Sequence, residues 1–173
     1  MGKDGSGRDA AFAEFVRTKQ AALVRFAWLV SSGSYAHAED LVQEALIRLY
    51  GRWSDVNDPE AYARTVIGRL NISVWRKLRH ETLRSTPVDR AELDRRLDGL
   101  GGDGTLIRAV RALPPRQRLV IVLRYWCDYG DEQIAETAGC AQATVRSLAY
   151  RGLTRLREVW PQTTTQSITG RTS

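Results

Sequence analysis

Apolar residues recur at helical spacing along most of the chain, and this pattern predicts an all-α protein. Asp58 followed by Pro59 strengthens the prediction at one helix start, because aspartate caps well and proline suits the first helical position. No run of alternating residues indicates a strand, and no internal repeat is visible. The predicted helices cover residues 9–31, 36–53, 59–83, 105–113, 116–127, 131–138 and 142–158.

The apolar stripes also predict which helix faces are buried. One face of the second helix carries Leu41, Ala45, Leu49 and Trp53. The third helix stacks its apolar residues at intervals of four, at Tyr62, Val66, Leu70, Val74 and Leu78.

A change of composition at Ser85 separates two helical halves. Residues 85–104 contain four glycines, a proline and five acids, a composition typical of a linker. We therefore expect two small helical domains joined by a flexible linker. The predicted divisions are 1–84, the linker 85–104, a second domain 105–160 that contains a helix-turn-helix, and a disordered tail 161–173.

Composition excludes several classes of protein. The longest apolar runs are five residues, at 26–30 and 119–123, whereas a membrane helix needs about 20. The first ten residues hold no apolar core of a secretory signal. Two cysteines and two histidines make neither a disulfide framework nor a metal-ligand spacing. These features favour a cytoplasmic protein with no membrane partner, no metal and no cofactor.

Charge is distributed unevenly along the chain. The net charge is +6, which is compatible with a polyanionic partner. Residues 37–60 hold six acids against two arginines, whereas 61–84 hold six basic residues against one acid. An acidic helix beside a basic one suggests two different partners, although two ordinary solvated faces would give the same pattern.

The segment 131–150 fits the helix-turn-helix pattern. Ala135 is small where the two helices must cross closely, and Gly139 allows the left-handed turn between them. An αα-hairpin with no DNA role would share this spacing, but residues 141–157 hold four arginines and no acid, which favours DNA binding. The predicted shared core is Ile134, Ala138, Cys140, Val145 and Leu148.

Two further segments carry candidate binding residues. Residues 64–81 interleave basic residues with Asn71 and Trp75, a pattern that suits unpaired bases but also a core tryptophan on a basic helix. Glu39, Asp40 and Gln43 share one helix face with Glu44 at its edge. No histidine, lysine or metal ligand accompanies these acids at a useful spacing, so a docking face is favoured over catalysis.

The three segments, in this order, resemble the extracytoplasmic-function class of bacterial RNA polymerase sigma factors, over roughly residues 10–158. AEDLVQEALIRLY is similar to the helix that docks on the polymerase clamp. DPEAYARTVIGRLNISVWRKLR is similar to the helix that melts the promoter and reads the minus-ten element. LPPRQRLVIVLRYW and the helix-turn-helix are similar to the domain that binds the minus-thirty-five element. The resemblance implies a transcription initiation factor that is not an enzyme.

Site residues carried over by position fall into three groups. Those for polymerase binding are Asp40, Gln43 and Glu44. Those for the minus-ten element are Arg64, Arg69, Asn71, Trp75, Arg76 and Arg79, with Asn71 expected to help hold the displaced strand. Those for the minus-thirty-five element are Thr144, Arg146, Ser147, Tyr150 and Arg151.

The chain departs from the family pattern at three positions. Ala143 stands where glycine is frequent, and Leu148 where arginine is frequent. Gly130 replaces the usual serine cap of the motif, so Asp131 is the expected cap instead. These departures bear on the promoter sequence that is read.

The partners implied are core RNA polymerase, through its beta-prime clamp and beta flap, and promoter DNA in duplex and single-stranded form. An anti-sigma factor is a further partner that the resemblance allows. Two alternatives remain open from the residues alone: a dimeric regulator that uses only the helix-turn-helix, and a metal-dependent nuclease built on Glu39, Asp40 and Glu44.

Overall fold

The computed structural model of the chain describes residues 3–31, 33–80 and 104–159, and all its regular elements in these ranges are α-helices. The chain divides into two compact units, Met1–Thr86 and Pro87–Ser173. The prediction of an all-α protein with two helical domains is confirmed. The predicted linker, apart from Gly104, and the predicted tail 161–173 lie outside the described residues. In chain order the helices are α1 Lys3–Val30, α2 Tyr35–Gly51, α3 Pro59–His80, α4 Gly104–Ala112, α5 Pro115–Tyr125, α6 Asp131–Ala138 and α7 Gln142–Val159.

In the first unit α1, α2 and α3 pack pairwise against one another. The last two turns of α1 are almost wholly buried, so this helix ends inside the unit. Ser34 caps α2 by accepting a hydrogen bond from the backbone N–H of His37 at 3.2 Å. Asp58 caps α3 in the predicted way, because its Oδ1 accepts from the N–H of Ala61 at 3.0 Å.

An aromatic cluster joins the start of α1 to the end of α2. Phe12 lies edge-on to both Tyr50 and Trp53, with ring centroids 5.0 and 5.1 Å apart. Tyr50 donates to Asp9 at 2.7 Å, and this hydrogen bond raises the pKa of its phenol. α1 begins at Lys3, six residues before the predicted start at residue 9. The prediction that Trp53 lies on one face of the second helix is wrong, because α2 ends at Gly51 and Trp53 follows it.

The buried face of α3 is partly different from the predicted one. Val66 is buried as expected, but Tyr62, Leu70 and Val74 are only half-buried. A spacing of four advances 400° per step, so a stripe of fours drifts around a helix of 3.6 residues per turn. The buried positions instead combine steps of three and four and are Ala63, Val66, Ile67, Gly68, Asn71 and Ile72.

In the second unit α5 contacts each of the other three helices. Its run Leu119–Leu123 is wholly buried, as are Ile134 of α6 and Val145 of α7. Arg118 is also buried, and its Nε and Nη2 donate to the carbonyl of Leu113 at 3.3 and 2.8 Å. Burial, and then the nearby charge of Arg111, lowers the pKa of Arg118 to about 10, so it remains protonated at neutral pH.

The helix-turn-helix is formed by α6 and α7, with the predicted turn at Gly139. Its φ of 62° lies in the left-handed region, which costs glycine little. The expected cap at Asp131 is wrong: Gly130 occupies the cap position, and Gln133 Oε1 accepts from its N–H at 3.1 Å. Asp131 is the first residue of the helix, and its carboxylate is bound by arginines instead.

Gly152 marks the closest approach of α7 to α5. A Cβ at this position would lie 2.9 Å from Cγ1 and 3.2 Å from Cδ1 of Ile121, a side chain that is itself buried. Only glycine therefore lets the two helices approach this closely.

We expect Gly152→Ala to destabilise the second unit. Alanine gains about 1 kcal/mol of helix propensity, but overpacking costs about 1–3 kcal/mol, so the net loss is about 0–2 kcal/mol. Urea unfolding of the full chain, with hydrogen exchange of α5 and α7 amides, measures it. Gly51→Ala in the last turn of α2 is the control, because it gives the same gain in helix propensity and nothing lies within 4 Å of a Cβ there. Equal stability of both variants would contradict the close-packing argument.

Candidate polymerase- and DNA-binding surfaces

The predicted docking residues lie together on the outer face of α2. Asp40 and Gln43 are exposed, and Glu44 is half-buried. Arg48 Nε donates to Glu44 Oε1 at 2.7 Å, so this carboxylate has a fixed orientation and a partly compensated charge. Ile47 follows one turn later and is 69 % exposed. The acidic face thus ends in the apolar side chain of Ile47, which the predicted site did not include. Its position seven residues after Asp40, about two helical turns, could have indicated that the two share a face.

The outer side of α3 is basic. Arg69 and Arg76 are seven residues apart and both exposed, with the exposed Ser73 between them. Lys77 is exposed beside Arg76 and was absent from the predicted site. Trp75 is half-buried, which is intermediate between a core tryptophan and an exposed stacking surface. Arg79 lies in the last turn of α3.

Arg64 belongs to an ion-pair network inside the first unit. Its guanidinium pairs with Glu60 Oε1, and Glu60 Oε2 forms an ion pair with Lys19 Nζ at 2.7 Å. The guanidinium carbon also lies 5.9 Å from the centre of the Phe26 ring. Arg64 therefore ties α3 to α1, and its charge is partly compensated.

Asn71 is buried, unlike the basic residues around it. Its Nδ2 donates to the carbonyl of Val30 at 2.9 Å. Val30 is the last residue of α1, where four carbonyls lack partners within the helix. The amide of Asn71 thus closes the buried end of α1. Contact with a displaced strand would require this amide to leave that carbonyl, and the strand-holding role stays a prediction.

The outer face of α7 carries the predicted minus-thirty-five residues. Arg146, Ser147, Tyr150 and Arg151 are all exposed, Tyr150 by 70 %, and Thr144 is half-buried. Val145 and Ala149 are buried on the opposite side, against the rest of the unit, whereas the predicted core residue Leu148 is half-buried. The helix therefore presents two guanidinium groups, a hydroxyl and a phenol on one accessible side.

Arg146 is held at its base by Asp131 of α6. Its Nε lies 3.1 Å from Asp131 Oδ2, and Asp131 Oδ1 pairs with Arg124 of α5. The three helices of this part of the unit thus meet in one charged contact. Sequence spacing alone gave no sign of it.

Within 3–31, 33–80 and 104–159, no group of three or more histidines, cysteines or acids could hold a metal ion. None of the helices described is long and apolar enough to span a bilayer.

Comparison with known proteins identifies the family. Sigma-70 region 2 matches residues 15–81, and sigma-70 region 4 matches residues 103–156. The chain belongs to the sigma-70 family, in its extracytoplasmic-function class. Such sigma factors are transcription initiation factors that bind core RNA polymerase and direct it to promoters, and they are not enzymes.

Relatives of this sigma factor cover most of its length. RNA polymerase sigma-E factor of Streptomyces avermitilis is 35% identical over 155 residues, 88% of this chain and 86% of the relative. The sigma-E factor of Streptomyces coelicolor is 34% identical over 155 residues, 88% of this chain and 87% of that protein. The sigma factor RpoE of Bartonella quintana, solved with the anti-sigma factor NepR, has the same fold, with a TM-score of 0.65, 24% identity and coverage of 86% of this chain and 96% of that one.

We expect Asn71→Ala to destabilise the first unit of this sigma factor by about 0.5–1.5 kcal/mol, because it removes a buried hydrogen bond between α3 and the end of α1. Ser73→Ala, on the exposed side of the same helix, should change stability by less than about 0.5 kcal/mol. Urea unfolding and hydrogen exchange of α1 and α3 measure both. If Asn71→Ala is as stable as Ser73→Ala, the hydrogen bond to Val30 contributes nothing to the fold.

Proposed function

We propose that this sigma factor docks on the polymerase clamp through the acidic face of α2 and reads the minus-ten and minus-thirty-five elements through α3 and α7. The observation that carries the proposal is the alternation of charge: α2 turns acids outward, whereas α3 and α7 turn arginines outward. A protein surface and a DNA backbone are the partners that such opposite faces suit.

The docking proposal rests on Asp40, Gln43 and Glu44 together with Ile47. Protein interfaces combine an apolar centre with a polar rim, and an exposed isoleucine beside carboxylates has that composition. Glu44 is already oriented by Arg48, which lowers the entropy lost when a partner binds.

The minus-ten proposal rests on the basic side of α3. Arg69, Arg76 and Lys77 are exposed over two turns and suit the phosphates of an opened strand. Trp75 is half-buried and offers a stacking surface for one base at most. Arg64 and Asn71 would contribute through the fold as well as through any contact with DNA, since both tie α3 to α1.

The minus-thirty-five proposal rests on α7 as the recognition helix. Arg146 is nearest its start, where recognition helices contact base edges, and Arg151 is a turn further on, where a phosphate contact is expected. Tyr150 and Ser147 add hydrogen-bonding groups on the same side.

The proposal assigns polymerase docking and the minus-ten element to residues 1–84 and the minus-thirty-five element to 105–160, with 85–104 as the linker. Contact with the beta flap is assigned to the second unit, where the aromatic side chains of Tyr125 and Trp126 are exposed. An anti-sigma partner is proposed by analogy with the Bartonella quintana protein. Action with RNA polymerase implies a cytoplasmic location.

Transcription with reconstituted holoenzyme tests the proposal. Core polymerase is supplied with a library of promoter variants, with and without this protein, and transcript starts are mapped. Starts that require the protein and share two upstream sequence elements support it. Cleavage of DNA by the protein without core polymerase, or transcript starts that share neither upstream element, would contradict it.

Charge reversal on α2 should weaken polymerase docking. Asp40→Lys is expected to raise Kd for core polymerase by thirtyfold or more if the carboxylate is desolvated, from a cost of about 2–5 kcal/mol. Asp55→Lys makes the same charge change in the turn after α2 and is the control. Fluorescence anisotropy at two salt concentrations gives both values. Equal Kd values for the two variants would remove Asp40 from the interface.

Arg146→Ala and Arg151→Ala should differ in kind. Loss of a bidentate guanine contact removes about 1–3 kcal/mol of discrimination, so Arg146→Ala should relax base preference at one or two upstream positions. Loss of a phosphate contact should leave preference unchanged in Arg151→Ala and reduce the salt dependence of binding by about one unit of slope. The promoter library measures both. If Arg146→Ala keeps the wild-type base preference at every upstream position, Arg146 has no role in specificity.

A further inference from the structure

Asp131 lies between two arginines from different helices. Its Oδ1 accepts from Arg124 at the end of α5, and its Oδ2 lies 3.1 Å from Nε of Arg146 on α7. The side chains differ in exposure: Arg124 is 26%, Asp131 30% and Arg146 66% exposed. The carboxylate is thus sheltered at the base of an arginine whose outer end faces solvent.

The contact uses only one side of the Arg146 guanidinium. Arginine has five N–H donors in a planar fork, and the hydrogen bond to Asp131 engages the one on Nε. The two terminal amino groups take no part in this hydrogen bond, and the side chain is largely exposed. A guanine presents two acceptors in the major groove, O6 and N7, which such a pair can bind together.

Stability alone does not account for this arrangement. Partly exposed ion pairs contribute about 0–1 kcal/mol to folding. Fixing a long side chain before binding, in contrast, removes an entropy cost that would otherwise fall on every DNA contact it makes.

We propose that Asp131 is a positioning residue that orients the Arg146 guanidinium toward a guanine edge and so sets base preference at one promoter position. The inference rests on the proposed role of α7 as the recognition helix. Asp131 itself touches no DNA in this proposal. It acts by restricting Arg146, and it also keeps that guanidinium from binding phosphates without regard to sequence.

The experiment compares promoter preference of holoenzymes that carry Asp131→Asn, Arg146→Ala, or both. Asp131→Asn should reduce preference for the favoured base roughly two- to tenfold, the equivalent of releasing one long side chain. The loss should fall at the same position that Arg146→Ala affects. Sequence-independent binding should not decrease, because a negative charge is removed. In the Arg146→Ala background, Asp131→Asn should have no further effect on preference.

Two further variants separate positioning from structure. Glu132→Gln removes the adjacent acid from the same first turn and should retain wild-type preference. Arg124→Gln breaks the link between α5 and α6 while Asp131 still contacts Arg146, so its effect on preference should be smaller than that of Asp131→Asn. Circular dichroism and urea unfolding establish that each variant is folded.

The outcomes distinguish the positioning role of Asp131 from the proposed role of α7 as the recognition helix. If Arg146→Ala changes preference and Asp131→Asn does not, the positioning role is wrong and the recognition helix stands. An equal loss in Arg124→Gln and Asp131→Asn would also overturn it, since helix placement would then explain both. If Arg146→Ala itself changes nothing, the base contact fails and the inference fails with it.

Discussion

Buried helix ends are the constraint on which both units depend. A helix that stops inside a core leaves carbonyls that water cannot reach, and an unpaired buried carbonyl is costly. In the first unit the carbonyl of Val30 receives the amide of Asn71. In the second, the carbonyl of Leu113 receives two N–H groups of Arg118. Each unit therefore places a polar side chain in its interior at the end of an earlier helix, Asn71 at the end of α1 and Arg118 just after the end of α4.

These inward contacts determine which faces remain for partners. Because Asn71 faces α1, the opposite side of α3 is left to Arg69 and Arg76. In the second unit, α7 packs closely on α5 at Gly152, and Arg146 and Arg151 are exposed on α7. Packing on one side of a helix and recognition on the other are thus set by the same few residues.

Local sequence signals predicted the helices well, because caps and apolar period act over a few residues. Asp58 and Gly139 have the roles that their neighbours indicated. The burial of Asn71 could not be predicted in this way, since its partner is 41 residues away and a polar residue on a basic helix suggests exposure. Asp131 was expected as a cap, but its two carboxylate oxygens pair with arginines of two other helices. The differences between prediction and structure therefore arise from contacts between helices, which local sequence signals do not reveal.

Net charge is a poor guide to what a partner meets, because several charges are already compensated within the units. Glu60 binds both Lys19 and Arg64, and Glu44 binds Arg48. Such pairs contribute little to stability at the surface. Their larger consequence is for the charges that a partner meets. Arg48 orients the carboxylate of Glu44, whereas Glu60 partly compensates the charge of Arg64. The electrostatic pattern of this sigma factor is therefore set by internal pairing, and salt should weaken its solvent-exposed contacts more than these short, partly buried ones.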